Sequence, residues 1–220
     1  MTDEVTAIDT HVHPADESQV KFLGRFHEHA EKYFRRKMEV VSLDETADNY
    51  RSLNMKAVLL ALDCESNFGT PAVSNEHVAA AVKKHPDVFM GFGSVDPWKG
   101  KKALEAVDKV RDLGLIGMKF HAAEQAFFPN DHRFYPLWAK CAEWELPCLF
   151  HIGMCGIGAG APGGMGLKLK FVRPIPYVDD VAGGFPELTI IGAHPAWPWQ
   201  DEMLAVAMHK ANVYIDLSGW

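Results

Sequence analysis

Asp9-Thr-His11-Val-His13 places a carboxylate and two imidazoles at alternate positions. In an extended strand alternate residues share a face, so Asp9, His11 and His13 are expected to point the same way. Two imidazoles so placed can ligate one divalent ion, and a carboxylate behind them can orient a ring by accepting its other N–H. The competing reading is a set of polar residues at a strand end. The position of the motif, on the first apolar segment of an alternating chain, favours a metal. His151 follows Leu149-Phe150, His194 follows Ile190-Ile-Gly-Ala193, and Lys119 and His121 alternate in Gly117-Met-Lys-Phe-His121. One histidine at a strand end is ordinary. Several at the carboxyl ends of different strands mark the face that carries the site in α/β barrels. His77, His85 and His209 fall in helical patterns and receive no role; His27, His29 and His132 stay unassigned.

The elements that must position these residues alternate along the chain. Strands are expected at 5–12, 56–62, 89–95, 115–121, 147–152, 187–193 and 212–217, several of them continuous apolar runs of the kind buried on both faces. Helical patterns fall at 43–53, 73–85, 101–113, 133–145 and 199–210; in 101–113, Ala103, Val107 and Val110 share a face. Helices near 73–85 and 133–145 stop just before Pro86 and Pro147. Strict alternation predicts a parallel sheet with covering helices, within one domain over 1–220. The charged segment 16–40 reads as an excursion after the first strand, and 153–174 as a long Gly-rich loop after the fifth.

Composition narrows the class. The chain has 220 residues, 48% hydrophobic and 23% charged, which excludes a disordered or collagen-like chain. With 22 basic and 29 acidic residues the net charge is −7 and no basic block stands out, so nucleic acid is not an expected partner. The longest apolar runs, such as Val58 to Leu62, are far short of the roughly 20 residues a membrane helix needs, so no membrane partner is expected. The acidic N-terminus lacks signal-peptide character, and Cys64, Cys141, Cys148 and Cys155 fit neither a disulfide scaffold nor a C-x-x-C zinc pattern. Reduced cysteines and a cytoplasmic location are the expectation.

Asp9-Thr-His-Val-His13, Gly117-Met-Lys-Phe-His121, His151 and Gly192-Ala-His-Pro195 together resemble the amidohydrolase superfamily. The branch they most resemble contains aminocarboxymuconate semialdehyde decarboxylase. The resemblance extends through Phe127-Phe-Pro-Asn-Asp131, the Gly-rich loop, Trp199-Gln-Asp-Glu202 and Tyr214-Ile-Asp-Leu-Ser-Gly-Trp220. It implies a TIM-type (β/α)8 barrel, with His11, His13 and His151 as metal ligands and His194 polarising substrate or moving protons. Asp9 would stand behind the ligands. The family also closes its site with an aspartate at the end of strand eight. Asp216 lies within the seventh strand and does not match that position. About seven strands are counted, against a typical barrel of about 250 residues, so a barrel lacking its last βα unit is expected.

The resemblance implies a divalent metal, most simply zinc, that activates water against a small anionic, carboxylated substrate. A non-oxidative decarboxylase would use the same parts. An inactive barrel fragment or metal-binding scaffold, open at its edges and prone to form a homo-oligomer, is the alternative of another class. Lys119, His121 and Arg173 are expected to contact substrate, with Lys168 and Lys170 beside Arg173. A lysine carboxylated between two metals is the less favoured reading of Lys119. Gly158-x-Gly160-x-x-Gly163 is formally a dinucleotide pattern, but it opens no predicted helix and contains Pro162. It is read as an active-site loop.

Overall fold

The computed structural model describes residues 5–219. Seven strands appear, all at the expected places: β1 Ala7–Val12, β2 Met55–Leu60, β3 Phe89–Phe92, β4 Met118–Phe120, β5 Cys148–His151, β6 Ile190–Ala193 and β7 Val213–Asp216. Every ladder is parallel, in the runs β1-β2-β3 and β4-β5-β6-β7. A parallel bridge between Gly93 and Met118 joins the two runs, and Lys119 N donates to Gly93 O at 2.6 Å. A Cβ on Gly93 would lie 2.3 Å from Val110 of the covering helix, so only glycine lets the two runs meet there. Most of the observed strands are shorter than the apolar runs: β3 stops before the end of its run, while β4 and β6 begin three residues into theirs.

The helices are α1 Glu17–Leu23, α2 His27–Phe34, α3 Leu43–Ser52, α4 Glu65–Phe68, α5 Asn75–Lys84, α6 Lys101–Asp112, α7 Ala122–Gln125, α8 Tyr135–Glu143, α9 Tyr177–Gly184 and α10 Gln200–His209. Ser42 and Ser74 cap α3 and α5 by accepting from Glu45 N and His77 N. In α6 the buried residues are Ala103, Val107 and Val110, the face read from the sequence. The excursion at 16–40 holds α1 and α2, and α9 lies in a stretch for which no helix was expected. Gly183, Gly184 and the neighbouring prolines mask its periodicity. No described helix is long and apolar enough to cross a membrane.

The core sits between sheet and helices. Phe120, Phe127, Trp138 and Phe150 pack together, with the Phe120 and Phe150 rings 5.4 Å apart. Each such ring contributes about 1.5–3 kcal/mol through burial. This cluster fixes β4 and β5, whose ends carry His121 and His151. No ladder joins β7 to β1 among the described residues.

Candidate metal centre

The strand-end histidines meet around a cavity of about 890 Å³ at the carboxyl side of the sheet. His11, His13, His121, His151 and His194 all line it. Glu124 and Cys155 belong to the same wall. The rings of His11 and His13 lie 5.3 Å apart, those of His11 and His194 4.9 Å, and those of His151 and His194 4.7 Å.

On β1 the pairing register shifts between Asp9 and Val12. This irregularity breaks strict alternation, and it corrects the expectation that Asp9 backs the histidines. Asp9 Oδ2 instead accepts from the Tyr50 hydroxyl of α3 at 2.7 Å, and Oδ1 accepts from His11 N. The carboxylate that orients His11 is Asp216: His11 Nδ1 donates to Asp216 Oδ2 at 2.7 Å. Ser218 Oγ donates to the same oxygen at 2.7 Å, and Ser218 N donates to Asp216 Oδ1 at 2.9 Å. Sequence reasoning weighed Asp216 only as a match for the strand-eight aspartate and set it aside, and it passed over Ser218. Their spacing of two at the end of a predicted strand was the available signal.

His194 Nδ1 donates to the Ser218 carbonyl at 2.8 Å, which leaves Nε2 with a lone pair, 3.2 Å from His151 Nδ1. The backbone of His194 is left-handed, with φ 72°. Such backbone costs about 1–3 kcal/mol and clusters at functional sites. Gly219, also at positive φ, approaches so closely that a Cβ there would lie 2.7 Å from His194 Nδ1.

Burial dominates the electrostatics. It holds His13, His121, His151 and His194 below the usual imidazole value, with neighbouring positive groups adding to the effect. Burial, then the Lys119 ammonium, lower His11 to about 4 despite its bond to Asp216. His11 is therefore a neutral donor to an ionised carboxylate. For Asp216, burial pushes upward, but hydrogen bonds from His11 and Ser218 outweigh it and hold the carboxyl well below the usual range. Lys119 is fully buried and lowered to about 8 by desolvation, against the pull of Glu124 and Asp216. Its Nζ donates to His11 Nε2 at 3.1 Å. Burial raises Glu124 to about 8.

The remaining expected residues divide. His121 lines the cavity, with its ring stacked on His151 at 3.8 Å. Lys119 lies beneath His11 rather than in the cavity wall. Arg173 is not brought to the site: its guanidinium is forked onto Glu202, and Lys168 and Lys170 are exposed and absent from the wall. A sequence shows the charge of an arginine but not a partner 29 residues away. The Gly-rich loop forms turns and short 3-10 segments, and the next α-helix starts only at Tyr177. Cys155 and Ile157 of this loop line the cavity.

The residues fit a divalent ion. His13 Nδ1 is buried and has no hydrogen-bond partner. His151 faces two acceptors, His194 Nε2 and, at 3.3 Å, Met154 O. Neutral, it can donate to only one of them, so its other nitrogen keeps a lone pair. Neutral imidazoles suit zinc, nickel or cobalt better than calcium or magnesium. Among the described residues, one group of three brings its donor atoms within 4.8 Å of one another: His121, His151 and Cys155. Their two rings are stacked at 15°, and Cys155 Sγ lies 3.7 Å from His121 Nε2. His11, His13 and His151 do not reach that proximity.

A family model described as Amidohydrolase matches residues 8–220. Among curated proteins none matches. Among solved structures, an uncharacterised TIM-barrel protein from Bordetella bronchiseptica is 23% identical, with 94% of this chain and 73% of that one covered at a TM-score of 0.71. A 4-oxalomesaconate hydratase from Rhodopseudomonas palustris is 18% identical over 94% of this chain and 73% of its own, with a TM-score of 0.59. A 5-carboxyvanillate decarboxylase variant from Novosphingobium aromaticivorans, holding manganese and a methoxy-hydroxy-nitrobenzoic acid, is 17% identical, with 92% and 67% covered and a TM-score of 0.58. At these identities the likeness shows a shared TIM-barrel fold, of which seven strands lie among the described residues.

Proposed function

The chain belongs to the amidohydrolase family, and on that premise we propose that it is a divalent-metal-dependent enzyme that hydrolyses a small carboxylated substrate. The observation that carries the reading is the set of neutral, buried imidazoles around one cavity, with His13 Nδ1 unpartnered among them. His11, His13 and His151 would hold the ion, zinc by the softness of these ligands. When bound, the ion supplies a Lewis acid for a substrate oxygen and lowers the pKa of water to about 7. Asp216 keeps His11 in the tautomer whose Nε2 lone pair points away from the carboxylate; that lone pair accepts from Lys119 Nζ at 3.1 Å, and an ion held by His11 would take the place of this hydrogen bond. His194, with Nδ1–H committed to the Ser218 carbonyl, presents Nε2 as the base that takes a proton from the attacking water and returns it to the leaving group.

One observation favours a second reading, non-oxidative decarboxylation. Glu124, raised to about 8 by burial, carries a proton near neutrality at the cavity wall. Such a group can protonate a substrate carbon, after which the carbon–carboxylate bond breaks and carbon dioxide leaves. The metal-bearing decarboxylase of the same fold makes a carboxylated aromatic the natural trial substrate. Product analysis on zinc-loaded protein with lactones and carboxylated aromatics separates the readings. A hydrolysed product without carbon dioxide is the expected result; carbon dioxide without a hydrolysis product replaces hydrolysis by decarboxylation.

A further inference from the structure

Ser218 lies two residues beyond the end of β7, and each of its polar atoms is engaged by the same three side chains. Its backbone N–H donates to Asp216 Oδ1 at 2.9 Å, and its hydroxyl donates to Asp216 Oδ2 at 2.7 Å. Its carbonyl accepts from His194 Nδ1 at 2.8 Å. The hydroxyl oxygen keeps two lone pairs, and it lies 2.9 Å from His11 Nδ1 and 3.3 Å from His194 Nδ1. One residue therefore meets a ring on β1, a ring just after β6 and the carboxylate that ends β7.

The turn is of the kind in which an aspartate side chain accepts from the backbone two residues on. Held at both N–H and hydroxyl, Ser218 has its carbonyl aimed at the His194 ring. Asp216 bonds His11 directly, but its hold on His194 runs through Ser218. Gly219 keeps the way open. It sits at φ 81°, and a Cβ there would lie 2.7 Å from His194 Nδ1 and 3.0 Å from Cε1. The rings of His11 and His194 are stacked with centroids 4.9 Å apart. An imidazole is rigid, so whatever holds both Nδ1 edges also sets where both Nε2 atoms lie.

We propose that Ser218 is a positioning residue that couples the ligand to the base: it sets the His11 and His194 rings against each other and holds His194 in its Nδ1–H tautomer. This rests on the functional reading above for the roles of the two rings. It adds that one residue, 207 positions from His11 and 24 from His194, places both. Gly219 serves the same end by leaving room for the ring.

The test reads the histidine rings of the metal-free full chain by proton–nitrogen correlation NMR, which shows which ring nitrogen carries the proton. Wild type is compared with Ser218→Ala, Ser218→Thr and Gly219→Ala. In wild type both His11 and His194 should be Nδ1–H tautomers. Ser218→Ala should lower the ratio of Nδ1–H to Nε2–H at His194 about tenfold, the worth of one hydrogen bond, and shift the His11 signal. Ser218→Thr keeps the hydroxyl and should restore both. Gly219→Ala should change His194 and leave His11 alone. Zinc titration of the same proteins should show about tenfold weaker binding in Ser218→Ala, the low end of the cost of losing a partner behind a ligating histidine, and wild-type affinity in Gly219→Ala. An unchanged His194 tautomer in Ser218→Ala, or the same change in Ser218→Thr, overturns the proposal. So does a tautomer change at His13 or His121 in Ser218→Ala, which would mark a loosened fold rather than a placed pair of rings. Wild type that binds no zinc defeats the functional reading instead; the tautomers are read without metal and decide the role of Ser218 on their own.

Discussion

Strand β5 is buried along its whole length, whereas β1 is exposed at three of its six positions and fully buried at none. Ile8 of β1 is 52% exposed and Tyr214 of β7 is 57% exposed, while Leu149 and Phe150 of β5 are at most 1%. The two regions hold their site residues by different means. In the wall, ladders on both sides of β5 and the ring cluster around Phe150 fix His121 and His151. At the seam, side-chain hydrogen bonds from His11 and Ser218 to Asp216 connect β1 to β7. Packing therefore dictates half of the site and a polar network the other half. Stability and site function should respond differently to changes in the two places.

The largest contrast is in stability. Phe150→Ala should cost about 3–5 kcal/mol, the usual loss for emptying a buried aromatic site. Ile8→Ala should stay within about 1 kcal/mol, since the side chain is half exposed. Urea unfolding measures both, and equal losses would abolish the distinction between wall and seam.

His194→Ala comes next. Its role as base predicts turnover lower by about a hundred- to ten-thousand-fold. Bound metal should be unchanged, because His194 is not among the proposed ligands. Parallel loss of metal and turnover would make His194 a ligand and redraw the centre. A smaller effect is expected from the seam carboxylate. Asp216→Asn should weaken metal binding by about 10–100-fold, the usual cost of removing a carboxylate that orients a ligating histidine. Asp9→Asn, whose partner is Tyr50, should leave metal binding alone. Similar losses from the two variants would mean that the seam network is not what orients His11.

The smallest effect is graded with pH and belongs to metal-free protein. His11, His13, His121, His151 and His194 all have folded values below the ordinary 6.5, with His11 at about 4. The unfolded chain therefore binds more protons just below that value, and stability falls as pH drops from 6.5 toward 4. Glu124 works in the opposite sense. Raised from 4.5 to about 8, it favours the folded state at low pH and loses that contribution as pH rises through this window. Five imidazoles outweigh one carboxyl, so the urea midpoint should be lower at about pH 5 than at about pH 7. A flat profile would show that the imidazoles are not held in their neutral form.

The same division explains how much was legible in the residues themselves. All seven strands could be read, because buried parallel strands leave short apolar runs. The histidines at the carboxyl ends of β4, β5 and β6 could be read for the same reason: each follows or ends an apolar run, and all three line the cavity. The seam could not. Its bond between His11 and Asp216 spans 205 positions, and the bond that engages Asp9 with Tyr50 spans 41. Arg173 was misplaced because its ion pair with Glu202 is made by tertiary folding.

The claim on which the rest depends is that β1 supplies the metal ligands. The most direct test is elemental analysis of zinc-reconstituted wild type beside the double variant His11→Ala/His13→Ala, with folding of both verified by circular dichroism. Wild type should retain about one equivalent of zinc, as a single centre requires, and the folded variant none. Unchanged zinc in the folded double variant would contradict the claim and move the centre elsewhere, to the wall residues His121, His151 and Cys155.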